Sequence, residues 1–512
     1  MIYRFASLVL LIGLTALSAA AQTPVPALNA LSGKVSAALE PGDADGLRLA
    51  MRVVDALTGE VLLETGTADQ AFIPASNMKL VTSATCLDLY GPDYGLTTTL
   101  ALRGDDLWII GTGDPALGDP SLEEDRGRNT MSVLDDWVRA LKQRGVSSIE
   151  GDLVVCDPVF DNQFTHPKWH PGNLLYWYGA PVAGVNFNDN CIDVTFVPSE
   201  QGKPASLEVI PPAGGFQIRG EALSAEEHAP QLAKLPNTPK PVYKVSGTVG
   251  RRGGPYSKPV NNPRLFLGEA LKAHLQANGI AVAGQVRVST DSAPAIAESE
   301  TVAVFTTPLT DVLGRVNTNS QNMMAEALAK LSGLAHDRAQ GVADPRGSWA
   351  SGHEAAVAFL SDAGVDPSTL VADDGSGLSH HNRLSAELVT DLLLHMLNEH
   401  EHGEHFVNSM AISGVRGSVR NRMKDITGRV YAKTGTISRV SALSGIVFAE
   451  NGRVAVFSIL HNGFEGSQTP YRKQQDDAVL ALYEWLENQG PPSKTVEPSA
   501  QREDALELIG IE

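Results

Sequence analysis

The chain has 512 residues, with 40 Lys+Arg against 59 Asp+Glu and a formal net charge of −19 at pH 7. That length is enough for two or three domains with cores of their own, and 43% hydrophobic with 19% charged residues suits a soluble globular protein. An acidic surface repels phosphate, so nucleic acid is not expected as a partner.

Arg4 precedes an apolar run, Phe5 to Leu17, closed by Ser18-Ala19-Ala20-Ala21. That order predicts a secretory signal over 1–21, and the run is shorter than a membrane span needs. No later stretch is long enough to span, so no stable membrane anchor is expected. A helix over Leu28 to Leu39 follows. Then Leu47, Leu49, Met51 and Val53 alternate as in a strand. Thr58-Gly59 turns the chain into Val61 to Leu63, and Pro74 opens a helix with Leu80, Ala84 and Leu87 on one face. From 91 to 300 the texture changes to short strand-like runs with Pro/Gly breaks, which predicts an inserted, mainly β module, possibly of two subdomains. A helical stripe of Leu309, Val312, Leu313 and Val316 precedes a second helix carrying Met323, Ala327 and Leu331. Val440 to Phe448 and Val454 to Leu460 read as strands joined at Asn451-Gly452, a hairpin signal, and a helix from Gln474 to Leu486 closes the fold. The plan is α+β: an antiparallel sheet flanked by helices, discontinuous over 22–90 and 301–489, with a Pro-rich tail over 490–512.

The cysteines Cys86, Cys156 and Cys191 form no disulfide framework; at most one pair can close, Cys156 with Cys191 being the candidate, and the sequence leaves that open. His395, His400, His402 and His405 lie among glutamates, but their spacing is that of a solvated helix end, and no metal is expected.

Three short motifs carry the chemistry. In Ser76-Asn77-Met78-Lys79 a hydroxyl and an amine three residues apart meet on one helical face, and a lysine of lowered pKa is a base for serine. Ser320-Gln321-Asn322 joins two helices and offers a hydroxyl for proton relay and an amide for Lys79 and substrate. Lys433-Thr434-Gly435-Thr436 puts a cation and hydroxyls for a carboxylate on a strand, with a glycine where a backbone must approach closely. Each alone is also an ordinary N-cap or strand end. Together, in this order, they are the marks of penicillin-binding proteins and serine β-lactamases, with Gln321 where the middle motif usually has Asp.

About 240 residues separate Lys79 from Ser320, more than β-lactamases carry. With Gly113-Asp114-Pro115, Asp374 to Ser379 and Gly414 to Ser418, this resembles the D-alanyl-D-alanine carboxypeptidase/endopeptidase family, the class C low-molecular-mass penicillin-binding proteins. The resemblance implies a periplasmic serine DD-peptidase with Ser76 as nucleophile, Lys79 as base and Ser320 as relay. It also implies that Asn322, Lys433, Thr434, Gly435 and Thr436 bind substrate, and that the backbone N–H groups of Ser76 and Thr436 form the oxyanion hole. Its partners would be peptidoglycan peptides, with β-lactams as covalent inhibitors and no cofactor; oligomeric state is not implied. A β-lactamase or esterase on the same core, or a wall-binding protein without activity, are the competing expectations. Cys156 and His380 stand where relatives carry an acidic residue and an arginine.

Overall fold

The computed structural model describes residues 25–39, 46–289 and 299–492; the expected signal segment and nearly all of the expected tail lie outside them. Among the described residues, no helix is long and apolar enough to cross a membrane.

The two ends of the chain build one six-stranded antiparallel sheet. Its order is Ala411–Ile412, Val430–Ile437, Val440–Phe448, Val454–Asn462, Arg48–Asp55 and Val61–Glu64. The strands Val440–Phe448 and Val454–Asn462 are buried on both faces, which explains their nearly unbroken apolar sequence. Their hairpin turns at Gly452, whose φ of +87° suits only glycine well. Helices Val25–Ala38 and Thr469–Glu487 cover one face, packing Leu31, Val35, Leu482 and Leu486 on Met51, Val53 and Phe457. On the other face the helix Met78–Tyr90 lies against Asn322–Ala339 and Ala386–Asn398. Burying each such Leu or Val stabilises the fold by about 1.5–3 kcal/mol. The fold class is thus α+β, with an antiparallel sheet between helical layers.

The inserted region hangs between the first two helices of the apolar face. Gly95–Arg103 leads in and Glu300–Pro308 leads out, and the two pair antiparallel from Gly95↔Pro308 to Glu300↔Leu102. The strand Glu300–Pro308, which crosses the boundary drawn from the sequence between 300 and 301, therefore joins the insert's own sheet. Backbone pairing with Gly95–Arg103 carries it there. That five-stranded sheet runs Val286–Ser289, Leu153–Cys156, Asp106–Gly111, Gly95–Arg103, Glu300–Pro308. Two helices absent from the sequence reading, Ser132–Gln143 and Pro263–Ala277, pack on it through Leu134, Trp137, Leu141, Leu267 and Leu271. Smaller sheets form around Cys191–Val197 and Val242–Val249.

The candidate Cys156–Cys191 bridge is not formed: all three cysteines are free and buried. Cys156 ends the strand Leu153–Cys156, whereas Cys191 opens a strand of a different sheet, so the backbone holds them in separate layers. The histidines stack edge-on, His395 on His400 and His400 on His402 at 5.7 Å between ring centres, with His400 Nε2 3.2 Å from Asp88 Oδ1. No group of three or more His, Cys, Asp or Glu among the described residues is placed to hold a metal.

Candidate active site

Pro74 fixes the approach to the nucleophile helix. Ala75 follows with φ +46°, a left-handed conformation that costs a non-glycine residue of order 1 kcal/mol or more. The chain then makes a 3₁₀ turn over Ala75–Asn77 and runs on as the helix Met78–Tyr90. Gly377 secures this bend. A Cβ there would lie 1.8 Å from the Ala75 carbonyl oxygen, so only glycine lets the two segments touch. Asn77 is fully buried and ties the turn to the sheet, its Nδ2 donating to Ser444 Oγ at 2.6 Å.

The bend sets Ser76 one turn before Lys79, whose side chain is fully buried. Lys79 Nζ reaches Ser76 Oγ at 3.0 Å, Asn322 Oδ1 at 2.7 Å and the Ser376 carbonyl at 2.7 Å. Asn322 Nδ2 donates to the Tyr178 carbonyl, which fixes Oδ1 toward the lysine. The last two acceptors have no proton to give, so they take the two N–H bonds of a neutral amine and leave its lone pair facing the serine hydroxyl. Burial pushes the Lys79 pKa down to about 7, while Glu326 and Asp374 pull it up.

Those two carboxylates are braced from several sides. Glu326 is fully buried and accepts from the backbone N–H groups of Gly375 and Ser376 and from Trp349 Nε1; burial pushes its pKa up to about 7. Asp374 accepts from Gly377 N, Ser379 N, Trp169 Nε1 and Asn382 Nδ2 at 2.6–2.8 Å. Asp374 to Ser379 is therefore a backbone wall that holds Lys79 from behind. Glu326 carried no sequence signal beyond spacing: Asn322, Glu326 and Lys330 recur every four residues and share one helical face.

The second lysine sits beside the first. Ser320, at φ +62° between the helices Leu309–Thr318 and Asn322–Ala339, accepts from Lys433 Nζ at 2.8 Å. Lys433 is fully buried, and burial together with the charge of Lys79 holds its pKa well below the usual lysine value. Along its strand, Thr434 Oγ1 donates to Ser418 Oγ at 2.8 Å, and Thr436 Oγ1 accepts from Arg472 at 3.3 Å. A Cβ on Gly435 would stand 2.7 Å from the Pro74 carbonyl and 3.1 Å from the Ser76 nitrogen, so the strand edge passes directly over the Ser76 amide. The short strand Ala411–Ile412 pairs only with Ala432 and Tyr431, which leaves the edge from Lys433 to Ile437 open to an extended peptide.

All eight sequence-derived residues thus meet at one place. Ser76, Lys79 and Asn322 form one hydrogen-bonded group and Ser320 with Lys433 another, and Thr434, Gly435 and Thr436 line the edge above. Ser418, Arg472, Glu326 and the Tyr178 carbonyl are additions that the sequence reading did not make. Asp157 and Cys156, by contrast, are fully buried; Asp157 accepts from the Gly184 N–H and lies 3.8 Å from Arg264.

Residues 31–483 match the family model described as D-Ala-D-Ala carboxypeptidase 3 (S13) family. The chain is 31% identical to a D-alanyl-D-alanine carboxypeptidase of Actinomadura sp. (strain R39), over 91% of this chain and 86% of that one. It is 27% identical to carboxypeptidase DacB of Mycolicibacterium smegmatis, over 90% and 85%. Its fold is similar to the crystal structure of penicillin binding protein 4 (dacB) from Haemophilus influenzae. The TM-score is 0.71 at 22% identity, covering 88% of this chain and 99% of that one.

Proposed function

The chain belongs to the D-Ala-D-Ala carboxypeptidase S13 family and is a serine DD-peptidase of peptidoglycan stem peptides, and we propose that it works through an acyl-enzyme on Ser76. The single observation that supports this reading is the set of partners around Lys79. Two obligate acceptors take its N–H bonds, and its lone pair meets the Ser76 hydroxyl at 3.0 Å.

A stem peptide enters as an added strand along Lys433 to Ile437, its terminal carboxylate against Lys433 and Thr434. Ser76 Oγ attacks the carbonyl of the penultimate D-Ala while Lys79 takes the hydroxyl proton. The oxyanion is held by the N–H groups of Ser76 and Thr436, an interaction worth about 3–4 kcal/mol per donor in comparable sites. When the intermediate collapses, the C–N bond breaks and the leaving amine takes its proton through Ser320. Water then attacks the ester, Lys79 again accepting the proton, and free Ser76 returns. The same steps open a cross-link when the leaving D-Ala is attached to a neighbouring peptide. A β-lactam offers its strained amide to the same attack and leaves a stable ester. The sequence of segment 1–21, read as a secretory signal, supports the proposal that the enzyme acts outside the cytoplasmic membrane, where its substrate is.

The test is intact-mass analysis of the mature protein after penicillin, wild type beside Ser76→Ala. One lasting adduct on wild type alone is the expected result. Folded wild type without an adduct would overturn the mechanism, and turnover of penicillin without an adduct would make the protein a β-lactamase.

A further inference from the structure

Beside the Ser320–Asn322 loop, on the side of the insert, lies a cluster of carboxyl groups that the mechanism above does not use. Asp119 is fully buried; its Oδ1 accepts from the Leu122 N–H at 2.8 Å and its Oδ2 from Arg315 Nε and Nη2 at 3.1 and 2.9 Å. Asp189 Oδ2 accepts from Gln321 Nε2 at 2.8 Å, and Arg315 reaches that oxygen only at 3.5 Å. Asp193 is held by two neutral donors, Ser257 and Asn188, and Asp125 adds negative charge near Arg315. The nearby lysines point elsewhere: Lys234 Nζ donates to the carbonyls of Leu174 and Val260, and Lys258 Nζ lies over the Tyr176 ring. The close bonds of Arg315 therefore go to Asp119, and Asp189 is left with an amide.

Asp189 also shares a hydrogen bond with Asp119. Ionised carboxylates only accept, so a bond between two of them needs one proton. Asp119 has both oxygens taken by N–H groups, one of them by a guanidinium, and keeps its charge. The proton then belongs to Asp189, whose buried Oδ1 no N–H group reaches among the described residues. Burial and the charge of Asp119 hold the Asp189 pKa well above the usual carboxylate range, against the pull of Arg315.

The backbone is bent to bring this acid to the loop. Asn188, Asp189 and Asn190 run consecutively at φ +51°, +51° and +53°, a conformation that costs each of them energy. Asn190 pins the stretch, its Nδ2 donating to the Pro181 carbonyl at 2.8 Å and to Asn186 Oδ1 at 2.7 Å. From the other side, the Gln321 N–H donates to the Arg315 carbonyl at 3.1 Å, so Gln321 is tied to the same cluster by backbone and side chain. The ionised Asp usual at this place in the motif could only accept; the amide of Gln321 supplies the donor that Asp189 Oδ2 takes.

We propose that Asp189 is a positioning residue for acylation: it acts as a neutral acid, giving its proton to Asp119 and taking the Gln321 amide on Oδ2, and so fixes Ser320 and Asn322 beside the two lysines. The proposal rests on the acyl-enzyme reading above and gives the insert a part in the geometry of the reaction.

The test follows the rate of penicillin adduct formation, with the thermal midpoint, for wild type, Asp189→Asn, Asp189→Ala, Gln321→Leu and the double variant Asp189→Ala/Gln321→Leu. Asparagine copies the neutral acid, with an N–H for Asp119 and a carbonyl for Gln321, so Asp189→Asn should acylate within about threefold of wild type. Asp189→Ala releases the loop and should slow acylation on the order of 10–100-fold, the scale of a misplaced reacting group. Gln321→Leu should slow it as much, and the double variant no more than either, because all three break one contact. Gln321→Leu gives a reading even if Asp189→Ala folds poorly. Asp189→Asn as slow as Asp189→Ala would overturn the neutral acid. Asp189→Ala and Gln321→Leu both at the wild-type rate, or additive losses in the double variant, would overturn the positioning role. No adduct on folded wild type would overturn the acyl-enzyme reading and the proposal with it.

Discussion

Two buried lysines within Coulomb range of one another set the working pH of this site. Lys79 accepts the Ser76 proton only when neutral, and burial brings its pKa down to about 7. Acylation by penicillin should therefore rise with pH through about 7 and level off above it, rather than climb to the ordinary lysine range. A pH series of adduct formation checks this. Glu326 raises the Lys79 pKa, so Glu326→Gln should move that acid limb to lower pH. The change also weakens a carboxylate that accepts three N–H bonds, so a loss of about 1–3 kcal/mol in stability should accompany the shift. An unmoved limb would remove Glu326 from the electrostatics of Lys79. The nucleophile and base were legible because Ser-x-x-Lys is a spacing argument, complete within one helical turn. Glu326 was not, because nothing in a helix rich in Met, Ala and Leu says that its first acidic position faces a lysine more than two hundred residues away.

Elements were legible where their signals are local. The period-two run around Met51, the Asn-Gly turn at 451–452 and the stripe of Leu80, Ala84 and Leu87 each specify an element by themselves. The helices Ser132–Gln143 and Pro263–Ala277 were missed because short strand-like runs on both sides coloured the whole insert as β, although Leu134, Trp137 and Leu141 recur at helical spacing. The strand Glu300–Pro308 was not read for a different reason: its partner, Gly95–Arg103, is remote in sequence. At the site, two element junctions depend on glycine. Gly435→Ala would push the strand edge off the Ser76 amide, and displacement by about 1 Å should slow acylation about 100-fold. A time course of adduct formation measures it. Gly377→Ala meets both a φ of +84° and the Ala75 carbonyl, and should destabilise by roughly 2–4 kcal/mol, read as a lower thermal midpoint.

At the scale of the whole molecule, the insert is part of the catalytic cleft and not an appendage to it. The Tyr178 carbonyl orients Asn322, and Asp189 holds Gln321, so two of the three residues in the central loop take their geometry from the inserted region. The thiols supply a further check. Cys86, Cys156 and Cys191 are free and buried, and burial pushes the Cys86 pKa up to about 12. An aromatic disulfide reagent should therefore find no fast-reacting thiol in the native protein and three after denaturation. Two missing thiols after denaturation would instead restore the Cys156–Cys191 bridge. The sheet order carries a consequence for assembly. Arg48–Asp55, near the beginning of the chain, pairs with Val454–Asn462, near its end, across roughly 400 residues, and contacts so distant in sequence are slow to form. The first two strands can pair with each other, but they must wait for Val454–Asn462 until almost the entire polypeptide has been made, while the insert, whose ingoing and outgoing strands meet each other, completes its own sheet beforehand. The nucleophile helix emerges early but gains its Lys433 edge only at the finish. Such a chain has no premature acylating form: a product ending before Val454 should take up no penicillin, however well its insert folds.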